Sequence, residues 1–489
     1  VDYYIAARGN DKHSGAKDAP WKSIARLNRA KLTAGDRVLF QGGSRFKGKL
    51  ELTKAHSGKP GRPVVIGSFG RGLATIDGSA EGGCLMDNVS DLRLDALKFR
   101  GPGWRKMVRL SGVVVLGGKR VEITRLDVRD FPLHGVVIGG GLQPRVTHCR
   151  MQDNGSAGMV TWNARGWIKD LYVGHCIFEN NPGTKLSPKS HSGSGLIVAG
   201  AKGALVEHCR ASRNGWAMPR KGNGPVGIWV WKADRVVIQH CLSYGNRSPG
   251  WDGGGFDFDG GVTNSVMQFN LSYGNIGCGY GMYQFPKAPL WKNNILRFNI
   301  SYLDGQNREG AALHFWTGDS KRQSMFGCKV YNNTFVGNVI ARASAIRFEE
   351  FEVPFPGLEF KNNLLLFRGP AVVGQANLGR YKNNLWWNLD KKGFKLGDHL
   401  DFESWIERCQ QESEGGKLLG AFKDPQVILP KGMTGLPKNT QDIPAMKAFR
   451  LKPGSPARGK ALPVAVPKGL DLWGKPLKGK KLNLGAWQA

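Results

Sequence analysis

The 489-residue chain carries 69 glycines, 40% hydrophobic residues and a formal net charge of +32. That apolar content excludes general disorder, and no apolar run reaches the ~18 residues of a membrane-spanning helix. The excess charge calls for a polyanionic partner, yet the basic residues are scattered, without the clustered runs or recognition helix of a DNA binder. That leaves an acidic polysaccharide or another anionic surface as the candidate partner; no nucleic acid, no membrane span and a monomeric chain are expected.

The opening, VDYYIAARGN, has neither an initiator Met nor a signal-type apolar core. It reads as a mature or trimmed chain, compatible with a removed export signal, and a secreted or periplasmic location is expected. Downstream, APWKSIARLNRAKL spaces Trp21, Ile24, Leu27 and Leu32 as one apolar helix face. Residues 1–60 are accordingly expected to form an opening segment and cap.

From about residue 61 to 390 the chain repeats itself. GVVIGGG, GMVTWNA, GLIVAGA, GIWVWKA, GFDFDGG, GYGMYQF, ALHFWTG and AIRFEEF align without gaps, 23 to 37 residues apart. Each opens on Gly or Ala and places apolar residues at its second and usually its fourth position. Each is followed by a second apolar strand ending in Cys or Asn. Four such ends, THCR, GHCI, EHCR and QHCL, hold Cys149, Cys176, Cys209 and Cys241. His-Cys pairs invite a zinc reading, but their regular spacing and the absence of any CxxC pair predict a buried thiol column. Asn270, Asn299, Asn333, Asn363 and Asn384 continue it as an amide ladder. Short strands with turn and ladder positions at fixed places describe a solenoid, each rung satisfying the backbone of the next at ~4.8 Å. The repeat is too short for a four-stranded propeller blade. Residues 391–489 are less regular and are expected to be a C-terminal extension of the same domain, with FESWIERCQ as a second helix.

These features resemble the right-handed parallel β-helix enzymes of the pectate-lyase-like superfamily. PWKS, LTAGDRVLF and GSRFKGKL are similar to the opening of such bacterial proteins, and FRLKPGSPARGKA followed by LDLWGKPLKGKKLNLGAW to their ending. The resemblance implies an all-β solenoid, and an activity drawn from lyases, hydrolases, epimerases or binding proteins, since the fold hosts all of them.

In strands of this kind alternate side chains leave opposite faces, so the third and fifth positions of each repeat point away from the interior. Early rungs are bland there: Val160 and Trp162, then Ile197 and Ala199. The next five carry Trp229 and Trp231, Asp257 and Asp259, Gly281 and Tyr283, His314 and Trp316, then Arg347 and Glu349. At ~4.8 Å per coil this ribbon covers about 20 Å, room for several sugar units. The loops NPGTKLSPKSHSGS, GWAMPRKGNGPV, GNRSPGWDGG and LDGQNREGA are expected to bring Lys189, His191, Arg220, Lys221, Arg247, Trp251 and Arg308 towards a ligand.

Three readings of the ribbon follow. In a glycoside hydrolase, Asp257 and Asp259 are base and acid, or one of them pairs with Glu349. Residues two apart on a strand sit about 6.6 Å apart at Cα, compatible with the ~6.5–9.5 Å carboxyl separation of inverting enzymes. Mutual repulsion would keep one of them protonated near neutrality. His314 or Tyr283 would assist, with Trp229, Trp231 and Trp316 stacking on sugar rings and Lys232 contributing charge. In a polysaccharide lyase the aspartates instead hold Ca²⁺ bridging to a uronate, and Arg347, His314, Tyr283 or Lys232 abstracts the proton next to the carboxylate. In a non-catalytic binder the aromatics suffice. Hydrolysis without a cofactor is the leading expectation, with Ca²⁺ entering only under the lyase reading.

Overall fold

The computed structural model describes residues 1–307, 310–337, 344–396, 401–477 and 481–488. The chain divides into two compact units, Val1–Pro225 and Val226–Ala489, a division that the expected boundaries at 60 and 390 do not coincide with. Each unit is built from three parallel sheets to which successive strands contribute in rotation, the arrangement of a parallel β-helix.

In Val1–Pro225 the first sheet starts at once: Asp2–Ile5 pairs in parallel with Arg37–Gln41, and that strand with Val64–Phe69. The β-helix therefore begins well before residue 61. The expected cap helix is shorter than its apolar spacing suggested, running only from Ile24 to Asn28 and capped by the Ser23 hydroxyl. Trp21 lies outside it, stacked on Tyr3 at 4.8 Å, and its burial comes from that stack rather than from a helix face. In Val226–Ala489 the helix Phe402–Cys409 forms as expected, capped by Asp401. Its Trp405 packs on Trp386, Tyr381 and Phe394.

The His-Cys and Asn-Asn dipeptides have one explanation. The first residue of each takes the left-handed conformation that bends the chain from one sheet to the next: His148, His175, His208 and His240 have φ of 50–55°, and Asn332, Asn362 and Asn383 of 53–58°. The second residue points inward. Cys149, Cys176, Cys209 and Cys241 are buried and free, each thiol donating to the carbonyl two residues earlier, at 3.2–3.3 Å. Burial pushes the Cys149 and Cys176 thiols well above the ordinary range. Among the described residues no three His, Cys, Asp or Glu side chains gather as a metal-holding group. Outside the bend the imidazoles stack, His148 on His175 at 4.8 Å and His175 on His208 at 4.9 Å.

The asparagine ladder runs as predicted. Asn270 Oδ1 accepts from the Cys241 N–H, and each Asn amide then donates to the next side chain through Asn299, Asn333, Asn363 and Asn384. It ends on Glu412, which accepts from Asn384 Nδ2 and Trp386 Nε1, both at 2.8 Å. A second ladder was not anticipated. Asn154, Asn181 and Asn214 in the first unit, and Asn246, Asn275 and Asp304 in the second, link side chain to side chain at the turns that enter the outward-facing strands.

Candidate active site

The ribbon residues lie on strands Ile228–Trp231, Phe256–Phe258, Tyr280–Gln284, Ala311–Thr317 and Ser344–Glu349, paired in parallel in that order. Their register is the gapless alignment of the repeats: Trp229, Asp257, Gly281, His314 and Arg347 form one row. Tyr283, Trp316 and Glu349 form the next. The rows on either side of the first, Ile228 to Ile346 and Val230 to Phe348, face the interior; Phe256 stacks on Tyr280 at 5.3 Å in one and Phe315 on Phe348 at 5.1 Å in the other. The apolar alternation of each repeat drives this: its second and fourth side chains are buried, and the third and fifth must face the other way.

That outer face is more sheltered than expected. Asp257 is 3% exposed, His314 4%, Trp229 6% and Tyr283 7%. Trp229 and Tyr283 are therefore not open stacking platforms; Trp231 and Trp316 remain half-exposed. Lys232 lies with its ammonium 5.0 Å from the Trp231 ring and 5.8 Å from Phe285. Trp316 Nε1 donates to Glu350 at 3.0 Å.

Within the ribbon a hydrogen-bonded cluster forms around His314. Its Nδ1 is 3.1 Å from the Tyr283 hydroxyl, which is itself 3.1 Å from the Cys278 thiol. Its Nε2 is 3.1 Å from Glu349 Oε2, and Arg347 Nε lies 3.3 Å from the same oxygen. The His314 hydrogen bond, reinforced by His314 and Arg347 charge, holds the Glu349 carboxyl down to about 2. Gly281 makes room for this cluster. A Cβ there would sit 2.8 Å from the Tyr283 ring, so the ring occupies the place of the missing side chain. Cys278 went unnoticed in the sequence because it precedes the repeat and belongs to no column.

The aspartates differ from each other. Asp257 is enclosed, whereas Asp259 is partly exposed just past its strand and accepts from the Gly260 N–H at 2.7 Å. Burial pushes the Asp259 carboxyl up to about 6. Glu349 is three rungs further on, about 14 Å at ~4.8 Å per rung. That exceeds the carboxyl spacing of either glycosidase geometry, so Asp259 and Glu349 do not pair across one bond. As a calcium site the aspartates would supply two carboxylates towards a shell of six to eight oxygens.

Of the loop residues, Trp251 is half-exposed, and Arg247 and Lys232 are exposed. Lys189 and His191 belong to the Val1–Pro225 unit. Lys189 is exposed, and burial beside Arg220 lowers His191 to about 4, leaving it neutral at neutral pH. Arg308 lies outside the described residues.

Residues 111–351 match the family model described as "Right handed beta helix region", and the fold is the right-handed parallel β-helix. Solved structures of polysaccharide-active enzymes share it. The chain is similar to the GH136 lacto-N-biosidase from Eubacterium ramulus at 17% identity and a TM-score of 0.52, covering 78% of this chain and 66% of that one. The PL6 family alginate lyase AlyGC aligns at 17% identity and a TM-score of 0.53, over 88% of this chain and 60% of that one. Pectate lyase Pel9A aligns at 15% identity and a TM-score of 0.50, over 100% and 96%. The chain thus spans about two thirds or less of the length of the first two. No curated protein matches the sequence significantly.

Proposed function

We propose that this chain is a glycoside hydrolase acting on an acidic polysaccharide, with Asp259 as general acid and Asp257 as the base that activates water. The observation that carries the reading is the unequal pair. Burial pushes the Asp259 carboxyl up to about 6, so below that pH it holds a proton for a leaving oxygen. Asp257 lies two residues earlier, within the strand Phe256–Phe258, and a Cα separation of about 6.6 Å is compatible with the carboxyl spacing that admits a water in inverting enzymes. Trp231 and Trp316 supply half-exposed rings for the apolar faces of sugars, and Arg347 and Lys232 supply charge for acidic substituents. The net charge of +32 supports a polyanionic substrate.

A second reading, β-elimination from a uronate, is favoured by the His314 cluster. An imidazole held between Tyr283 and Glu349 is oriented for proton abstraction, with Arg347 beside it to meet a carboxylate.

Product analysis on a panel of acidic polysaccharides tests the assignment. Hydrolysis gives new reducing ends without ultraviolet absorbance from a carbon–carbon double bond. Elimination gives both, and a chelator that abolishes it would bring calcium to the aspartates. A panel on which the protein binds but cleaves nothing would overturn both enzymatic readings.

A further inference from the structure

The Val1–Pro225 unit carries a second surface that the ribbon chemistry does not use. Three of its loops, residues 101–112, 180–193 and 213–225, together contain eight lysines and arginines and not one aspartate or glutamate. In a chain that carries 38 acidic residues in all, an acid-free cluster of that size marks a local concentration of positive charge.

The loops are joined to one another. Arg109 Nη1 donates to the Leu186 carbonyl at 3.4 Å, and the Ala217 N–H to the Pro182 carbonyl at 2.7 Å. The Trp104 and Trp216 rings meet edge to face at 5.9 Å, and Trp216 Nε1 donates to Asn180 Oδ1 at 3.0 Å. The Arg105 guanidinium sits 4.8 Å from the Trp104 ring. Trp216 is nevertheless 42% exposed, and Met107 and Val108 of the Trp104 loop 64% and 43%. Three acids border these loops; the Asp130 carbonyl accepts from the Gly103 N–H, and the other two are engaged through their carboxylates. Glu179 receives Arg150, Arg210 and Arg213, and Asp153 accepts from Asn180 Nδ2.

We infer that this surface is a separate binding site for a polyanionic glycan, distinct from the ribbon of the second unit. The cations meet sulfate or carboxylate groups, and the exposed tryptophan with its apolar neighbours meets the C–H faces of the sugar rings. A glycan fits better than a nucleic acid because Met107 and Val108 give apolar contact that a phosphate backbone does not use. The inference rests on the glycan-directed reading of the chain for its choice of polymer, but not on turnover.

Affinity of the whole protein for dextran sulfate, polygalacturonate, unsubstituted dextran and a single-stranded DNA oligonucleotide tests it, alongside Trp216→Ala and an Arg105→Ser/Lys106→Ser double variant. These side chains are exposed, and thermal midpoints close to the parent's confirm that the variants fold. The site predicts binding to at least one acidic polymer and not to dextran, weakened about tenfold or more by each variant. Stronger binding of dextran sulfate identifies sulfate as the recognised group, and of polygalacturonate carboxylate. Turnover of a short oligosaccharide should stay at the parental rate. Unchanged affinity in both variants would overturn the site, as would DNA binding that shows the same dependence on Trp216. A protein that binds through these residues but cleaves nothing would sink the enzymatic reading and leave this site standing.

Discussion

The Tyr283 hydroxyl lies 3.1 Å from His314 Nδ1, one rung away, and is the contact that joins a buried thiol to the carboxylate of Glu349 through an imidazole. With Tyr283 fixing one ring nitrogen, the other is directed at Glu349. Replacing Tyr283 with Phe keeps the ring and removes that contact. One net hydrogen bond is worth up to about 1.5 kcal/mol, so under the elimination reading, which runs through His314, kcat should fall by about tenfold with KM nearly unchanged. An unaltered kcat and pH profile would show that His314 takes no part in the reaction.

Gly281 offers an independent route to the same contact. Its φ is not in the left-handed region, so alanine is acceptable to the backbone, but the new methyl would meet the Tyr283 ring at 2.8 Å. Under that same reading Gly281→Ala should lower turnover much as Tyr283→Phe does, and under either reading it should cost roughly 1–3 kcal/mol of stability. Parental turnover in a folded Gly281→Ala protein would mean the ring's position is irrelevant.

The sheet register was legible because the repeats need no gap: the second side chain of each, from Ile228 to Ile346, occupies one inward row. The Cys and Asn columns were legible for the same reason. What the sequence concealed was depth. Alternation distinguishes two faces of a strand but not whether loops cover the outer one, and Asp257, Trp229 and Tyr283 are covered. The second asparagine ladder escaped notice because Asn154, Asn181 and Asn275 sit in turns, where Asn is expected for local reasons. The helical spacing around Trp21 misled because stacking on Tyr3 buries an indole as well as a helix face does.

Burial separates the tryptophans into two kinds. Trp231→Ala and Trp316→Ala remove half-exposed rings and should weaken oligosaccharide binding while leaving the thermal midpoint nearly unchanged. Trp229→Ala removes a ring that is 6% exposed and should destabilise the protein by about 3 kcal/mol or more. Denaturant melts and binding isotherms on the three variants check this; equal destabilisation by all three would make the outer rings packing elements.

Glu412 ends the asparagine ladder in a fully buried position, and burial pushes its carboxyl up to about 7. The folded state then holds a proton that the unfolded chain releases near the ordinary value of 4.5. Stability should therefore decline as pH rises from about 4.5 to 7, by at most about 3 kcal/mol. Glu412→Gln should flatten that decline in chemical-denaturation curves taken across the range. An unchanged slope would assign the pH dependence to other groups.

The most direct measurement is the turnover of Asp259→Asn on a polysaccharide that the parent cleaves. The substitution keeps the shape of the side chain and removes its titrating proton. The account predicts a loss of about 10² or more in kcat, the scale of lost general acid assistance. It also predicts that kcat of the parent, which needs Asp259 protonated, falls as pH rises through about 6, and that the variant loses this limb. Full activity in Asp259→Asn, with the parental pH profile, would contradict it and move the chemistry to His314, Arg347 and Glu349.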